Sequence, residues 1–149
     1  MFSQDYEGGK TALNSVAQVM RDDLTDGELA TLARSEQLKI RAAVGERVRT
    51  PLTSLLILAA DESPAVRAGV ARNPRVDMPI ELRETLAQDK SAEVLLALVK
   101  CPAVPDKILS KLSRSWHRDV ASAAKERQRS LKLSGATAPG VGQVEFASS

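Results

Sequence analysis

Cysteine, histidine and aromatic residues are almost missing from this chain. Its 149 residues include one cysteine, one histidine, one tryptophan, one tyrosine and two phenylalanines. A single cysteine, Cys101, excludes an intrachain disulfide and a cysteine-based metal cluster. A single histidine, His117, excludes a multi-histidine centre, so no metal or other cofactor is expected. Aromatics make up 3% of the chain and hydrophobic residues 43%, which leaves an aliphatic core of Leu, Val, Ile and Ala. Long apolar runs are missing too. The longest near the middle, Leu55–Ala60, is far shorter than the roughly 20 residues that span a bilayer. Residues 1–10 carry neither the basic nor the apolar segment of a secretory leader, so a cytoplasmic location is expected. No glycine-rich phosphate loop, metal-ligand spacing or nucleophile–base–orienter set is present, and the expectation is a protein that is not an enzyme. The net charge of +2 and the pI of about 8.8 single out no partner. The two ends differ more: residues 1–30 hold six acids and two bases, residues 100–132 nine bases and three acids.

What the chain does have is internal repetition. Leu32, Leu58, Leu86 and Leu112 lie 26, 28 and 26 residues apart. Eight residues after each comes Ile40, Val66, Val94 or Val120, and four further on Val44, Val70, Leu98 or Ala124. Seven residues before each leucine stands Thr25, Pro51, Pro79 or Pro105. Self-similarity at such a period marks an array of small units that must stack to bury their apolar faces. Thr25-Asp-Gly-Glu28 fits a capping box. Thr50 is expected to cap the next unit's helix, with Pro51 at its first position. Three residues past each leucine stands Ser35, Asp61, Asp89 or Ser115, types that favour turns and caps. Ser63 and Ser91 are candidate N-caps of the second helix, with Pro64 in its first turn. Asn73-Pro74 and Lys100-Cys101-Pro102 end that helix, because proline cannot continue one.

Each unit therefore reads as two short helices. The fold class expected is all-α: a short helical-repeat solenoid of about four two-helix repeats with an N-terminal capping helix. Residues 1–9 read as a flexible N-terminus, 10–24 as an N-terminal capping helix, 25–128 as the four repeats and 129–149 as a flexible C-terminal tail. The capping helix places Leu13, Val16, Ala17 and Met20 on one apolar face. The expected core consists of Leu32, Leu58, Leu86 and Leu112 with Ile40, Val44, Val66, Val70, Val94, Leu98 and Val120.

The unit P-x-x-x-L-x-x-L-A-x-D-x-S-P-x-V-R-x-x-V-A-x-N-P, clearest at Pro51–Pro74, resembles the leucine-rich repeat variant family, whose repeats are similar to HEAT and armadillo units. The resemblance covers about residues 25–127. The first unit has Arg47-Val48 in place of Asn-Pro, and the third has Cys101-Pro102 and Val94-Leu95. The resemblance implies a right-handed superhelix used as a scaffold or binding surface. It supplies no catalytic motif.

Two surface features are candidates for binding. One is a basic ladder at equivalent positions of successive units: Arg41 and Arg67, then Arg49 and Arg75, with Arg72, Arg47 and Arg127 nearby. Cations repeated at about 10 Å, the packing distance of helices, can track phosphates. The same arginines can instead pair with Glu36, Glu46, Asp61 and Glu62 at unit junctions. The other is the basic stretch around Trp116, with Lys100, Lys111, Arg114 and Arg118. An exposed tryptophan among cations suits a protein partner, whereas a buried one plugs the end of the core. Cys101 reads as a small helix-ending residue rather than a reactive thiol. Asp61 and Asp89 read as caps rather than a catalytic pair. The reading as a whole is a non-catalytic interaction module that binds a protein, as a monomer or with weak self-association. A nucleic-acid backbone binder is the alternative.

Overall fold

The structure is a computed structural model that describes residues 17–135. The flexible N-terminus at 1–9, residues 10–16 of the expected capping helix and the tail from 136 onward lie outside the described residues. Among the described residues all regular structure is helical. After helical residues at 17–19 come α1 (Asp26–Leu32), α2 (Leu38–Glu46), α3 (Leu52–Ala59), α4 (Pro64–Arg72), α5 (Ile80–Leu86), α6 (Ala92–Lys100), α7 (Asp106–Leu112) and α8 (Arg118–Leu133). No helix among the described residues is long and apolar enough to cross a membrane.

Helices of seven to nine residues, as α1–α7 are, are marginal alone and depend on packing. That packing is regular. The even-numbered helices stack one on the next: α2 on α4, α4 on α6 and α6 on α8. The odd-numbered helices form a row beside them, α1 and α3 both resting on α2, α3 and α5 both on α4. Between the two rows lies an aliphatic core. It takes Leu58, Leu86 and Leu112 from the odd helices and Ile40, Val44, Val66, Val70, Val94, Leu98, Val120 and Ala124 from the even ones.

The helix boundaries follow from local chemistry. Thr25 closes a reciprocal capping box with Glu28: the Glu28 N–H donates to Thr25 Oγ1 at 3.1 Å, and the Thr25 N–H donates to Glu28 Oε1 at 2.9 Å. Pro51, Pro79 and Pro105 occupy the N-cap position itself, one residue earlier than expected, and Pro64 stands at a first-turn position of α4. Asn73 and Cys101 end α4 and α6 in extended conformation, as a residue before proline prefers. Gly69 lets α4 approach α2. A Cβ there would stand 2.5 Å from the Ala42 carbonyl oxygen, so only glycine fits without separating the backbones.

Several expectations are corrected. Leu32 is half-buried, and Leu29 and Ala33 take its place in the core. Leu32 lines a shallow groove with Gln18, Leu24, Glu28 and Thr31. The helix at 17–19 stops before Met20, which is 72% exposed, and Ala17 is exposed as well. Val19 and Leu24 make the apolar contact there instead. Thr50 does not cap α3. Its hydroxyl donates to the Val44 carbonyl at 2.7 Å and closes the C-terminus of α2, which lacks a proline to end it. Ser63 and Ser91 hold N-cap positions, but neither side chain caps its helix. Residues 129–133 extend α8 rather than beginning a flexible tail.

Candidate interaction surface

The four turns between odd and even helices share one device. The side chains of Ser35, Asp61, Asp89 and Ser115 accept the N–H two residues on, from Gln37, Ser63, Ser91 and His117, at 3.1, 2.9, 2.9 and 3.1 Å. Such side-chain turns satisfy the N–H of the N-cap residue of each even-numbered helix. They also hold two carboxylates at fixed points along one edge.

Arginines from the preceding helix pair meet those carboxylates. Arg41 binds Asp61 in bidentate fashion, Nε to Oδ2 at 2.8 Å and Nη2 to Oδ1 at 3.2 Å, and its Nη1 donates to the Ser35 carbonyl at 2.7 Å. Arg67 repeats the arrangement with Asp89 at 2.7 and 3.2 Å and with the Asp61 carbonyl at 2.7 Å. Where the arginine is replaced by Leu95, the next turn carries Ser115 instead of an acid, so charge and counter-charge disappear together. Bonds donated to these carboxylates hold the pKa of the Arg41 and Arg67 guanidinium groups above the ordinary value. For Asp61, burial pushes the carboxyl upward. The bonds from Arg41 and the Ser63 N–H, with the charges of Arg41 and Arg67, outweigh this and hold it below the usual range.

A second ladder joins successive pairs through side-chain donors. Arg47 donates to the carbonyl of Val19, Asn73 to Gly45 at 2.7 Å, Cys101 to Asn73 at 3.2 Å and Arg127 to Val99 at 3.1 Å. In every case the acceptor lies 28 residues earlier. Cys101 is therefore a buried junction residue. Of the other candidate cations, Arg49 donates to the Asp22 carbonyl at 3.1 Å. Arg75 bridges Asp77 and the Thr50 carbonyl, both at 2.6 Å. Arg72 pairs with Glu46 at 2.6 Å. The expected basic ladder is thus engaged within the molecule at Arg41, Arg67, Arg49, Arg75 and Arg72.

The fourth helix pair is different. Trp116, in the turn between α7 and α8, is 84% exposed and does not plug the core. Its ring lies 4.3 Å from that of half-buried His117, tilted by 31°. Arg114 and Arg118, two residues to either side, are exposed and form no ion pair among the described residues, as is also true of Lys111 on the last turn of α7. Lys100 is exposed too, but it borders a groove against Glu126, Arg127 and Leu131 in the second half of α8, away from Trp116. The structure therefore brings together Arg114, Trp116 and Arg118, and separates Lys100 from them.

Sequence reasoning missed Arg83. It is 2% exposed and stands three residues before Leu86, where the other units have Leu29, Leu55 and Leu109. Its guanidinium donates to the Arg75 carbonyl at 2.6 Å and to Cys101 Sγ at 3.4 Å, with no carboxylate in an ion pair. Among the described residues no group of three or more His, Cys, Asp or Glu is arranged to hold a metal. No protein-family model, curated protein or solved structure matches this chain.

Proposed function

We propose that the chain is a right-handed solenoid of four repeats of the leucine-rich repeat variant type. In this reading it serves as a non-catalytic module that binds an acidic segment of another protein through the edge formed by Arg114, Trp116 and Arg118. Equal turn chemistry in all four pairs and side-chain bonds at a constant 28-residue separation support the repeat reading. One observation carries the binding reading: Trp116 is 84% exposed between two arginines that form no ion pair among the described residues, in a chain whose other arginines mostly staple its units together. Tryptophan and arginine are the residue types most enriched among binding hot spots. The internal pairing of Arg41, Arg67, Arg72 and Arg75 weighs against a phosphate-tracking ladder.

Trp116 is the sole tryptophan of the sequence, so its emission reports on this edge directly. Titration with a pool of Asp/Glu-rich peptides containing apolar residues is expected to give a saturable blue shift. Arg114→Glu with Arg118→Glu should abolish the shift while leaving the melting temperature unchanged. Binding of duplex DNA with a steep salt dependence, without any response to the peptides, would overturn this reading in favour of nucleic acid. Indifference to both probes would overturn the binding edge itself.

A further inference from the structure

Two short stretches of this chain are chemical opposites. In the turn before α8, Trp116 stands between Arg114 and Arg118, and all three are exposed. Residues 107–118 contain no acid, and Asp119 is the first to follow. Far from it in sequence, Tyr6 stands between Asp5 and Glu7, and residues 1–9 contain no base. Among the aromatic residues of the chain, only Trp116 has a cation on each side, and only Tyr6 an acid on each side. The wider surroundings share this contrast: residues 1–30 hold six acids and two bases, residues 100–132 nine bases and three acids.

We propose that the Arg114–Trp116–Arg118 edge takes the Asp5-Tyr6-Glu7 segment of a second copy, so that the chain associates head to tail. This rests on the reading of the edge as a site for acidic segments, and it names the segment. Tyr6 offers Trp116 an aromatic partner. Asp5 and Glu7 offer carboxylates to Arg114 and Arg118, whose guanidinium groups suit them. Residues 1–16 lie outside the described residues, and their length directs the contact to a neighbour. The side-chain bonds from Arg47, Asn73, Cys101 and Arg127 set Val19 and α8 four junctions apart, each about 8–10 Å wide. Val19 also sits at the C-terminal side of the even row, where Arg47 follows α2, and Trp116 at its N-terminal side. Tyr6 lies eleven residues before Ala17. Those residues reach about 36 Å if fully extended, and about 24 Å with 10–16 in the expected capping helix. The edge of a neighbour is therefore the more accessible one. Each copy offers one edge and one segment, so the contact is heterologous. A short segment on an exposed edge makes a small interface, and the Kd expected is on the order of 100 µM.

A peptide of residues 1–10, titrated into the full chain at low micromolar concentration, is expected to give a saturable blue shift of Trp116 emission. The same peptide with Asp5→Asn and Glu7→Gln should bind at least about 10-fold more weakly. In sedimentation equilibrium the full chain should rise reversibly above 16.0 kDa at high micromolar concentration, and less so in high salt. Arg114→Glu with Arg118→Glu should stay monomeric, as should Asp5→Arg with Glu7→Arg, both with unchanged circular dichroism. A mixture of these two variants should associate, because the acidic segment of the first meets the unaltered edge of the second. Capture of Asp/Glu-rich peptides without capture of residues 1–10 would overturn this inference and leave the edge standing. Failure to capture either would overturn the edge as well. A monomer at every concentration, association untouched by Arg114→Glu with Arg118→Glu, or a mixture that stays monomeric would overturn the second copy as the occupant.

Discussion

Asp61 joins two helix pairs and so offers a sharp test of what holds them together. Its carboxylate accepts two bonds from Arg41 and one from the Ser63 N–H, and the two ionic side chains are only 15% and 12% exposed. Asp61→Asn keeps the turn, because an amide oxygen can still accept the Ser63 N–H, but it removes the charge. Breaking a fully buried ion pair by deleting one partner costs about 3–5 kcal/mol, and a surface pair about 0–1. This pair lies at the rim of the core, which puts the loss at about 2 kcal/mol. For a domain of this size that is a fall of roughly 6–12 °C in melting temperature. The chain holds its own control in Leu95 with Ser115. The double variant Arg41→Leu, Asp61→Ser copies that pair and should recover most of the loss. The charge also predicts a pH dependence. The folded pKa of Asp61 is depressed, so its stabilisation is complete above the unfolded value of about 3.9 and is lost as pH falls through the folded value. The gap between wild type and Asp61→Asn should be constant from pH 8 to about pH 5 and should close in more acidic solution. Urea denaturation followed at 222 nm measures all of this. An Asp61→Asn variant within about 0.5 kcal/mol of wild type at pH 7, or a double variant no better than the single, would refute the reasoning.

Gly69→Ala should destabilise by about 1–2 kcal/mol although alanine is the better helix former, because its Cβ meets the Ala42 backbone rather than a movable side chain. A gain in melting temperature would show that α2 and α4 are less close than described. Arg83→Leu should be neutral or stabilising, since it restores the leucine of the other units and removes a buried charge without a carboxylate. Arg83→Ala should cost about 3 kcal/mol for the cavity it leaves. Equal losses for both would mean that the bonds to Arg75 and Cys101, not volume, are what count at this position. Leu58→Ala, at a fully buried position, should cost about 2–5 kcal/mol in the same denaturation assay.

Positions with two neighbours were legible in the sequence. Leu58, Leu86 and Leu112 and the β-branched residues behind them repeat in register, and all are buried. The turn residues were equally legible, because Ser and Asp at a constant offset have one local use. The errors cluster where the repeat ends. Leu32 belongs to the first unit and the helix at 17–19 lies outside the repeat pattern, so periodicity no longer dictates which residue faces inward. Arg83 was hidden by its type, since arginine is usually solvated. Its register, three residues before an anchor leucine, was the available signal. The side-chain ladder carried a signal too: Arg47, Asn73, Cys101 and Arg127 differ in chemistry, but each can donate a hydrogen bond, and each stands fifteen residues past its leucine.

The placement of charge explains why one edge keeps cations without internal ion pairs among the described residues. A junction arginine needs an acid one unit further along, and where the next turn carries Ser115 there is none. Arg41 and Arg67 have Asp61 and Asp89 ahead of them, and the pairing ends at Leu95 and Ser115. Beyond that point Lys107 still pairs with Glu84 and Arg129 with Glu126, but Lys111, Arg114 and Arg118 are exposed and form no ion pair among the described residues. An unpaired exposed cation costs little in water, but several together attract negative charge and repel a second basic surface. The rule that stabilises the first three pairs thus leaves the fourth electrostatically open. Extending the pairing by Leu95→Arg with Ser115→Asp should bring a carboxylate next to Trp116 and weaken capture of acidic peptides. It should leave the fold intact, which separates the edge's charge from its stability.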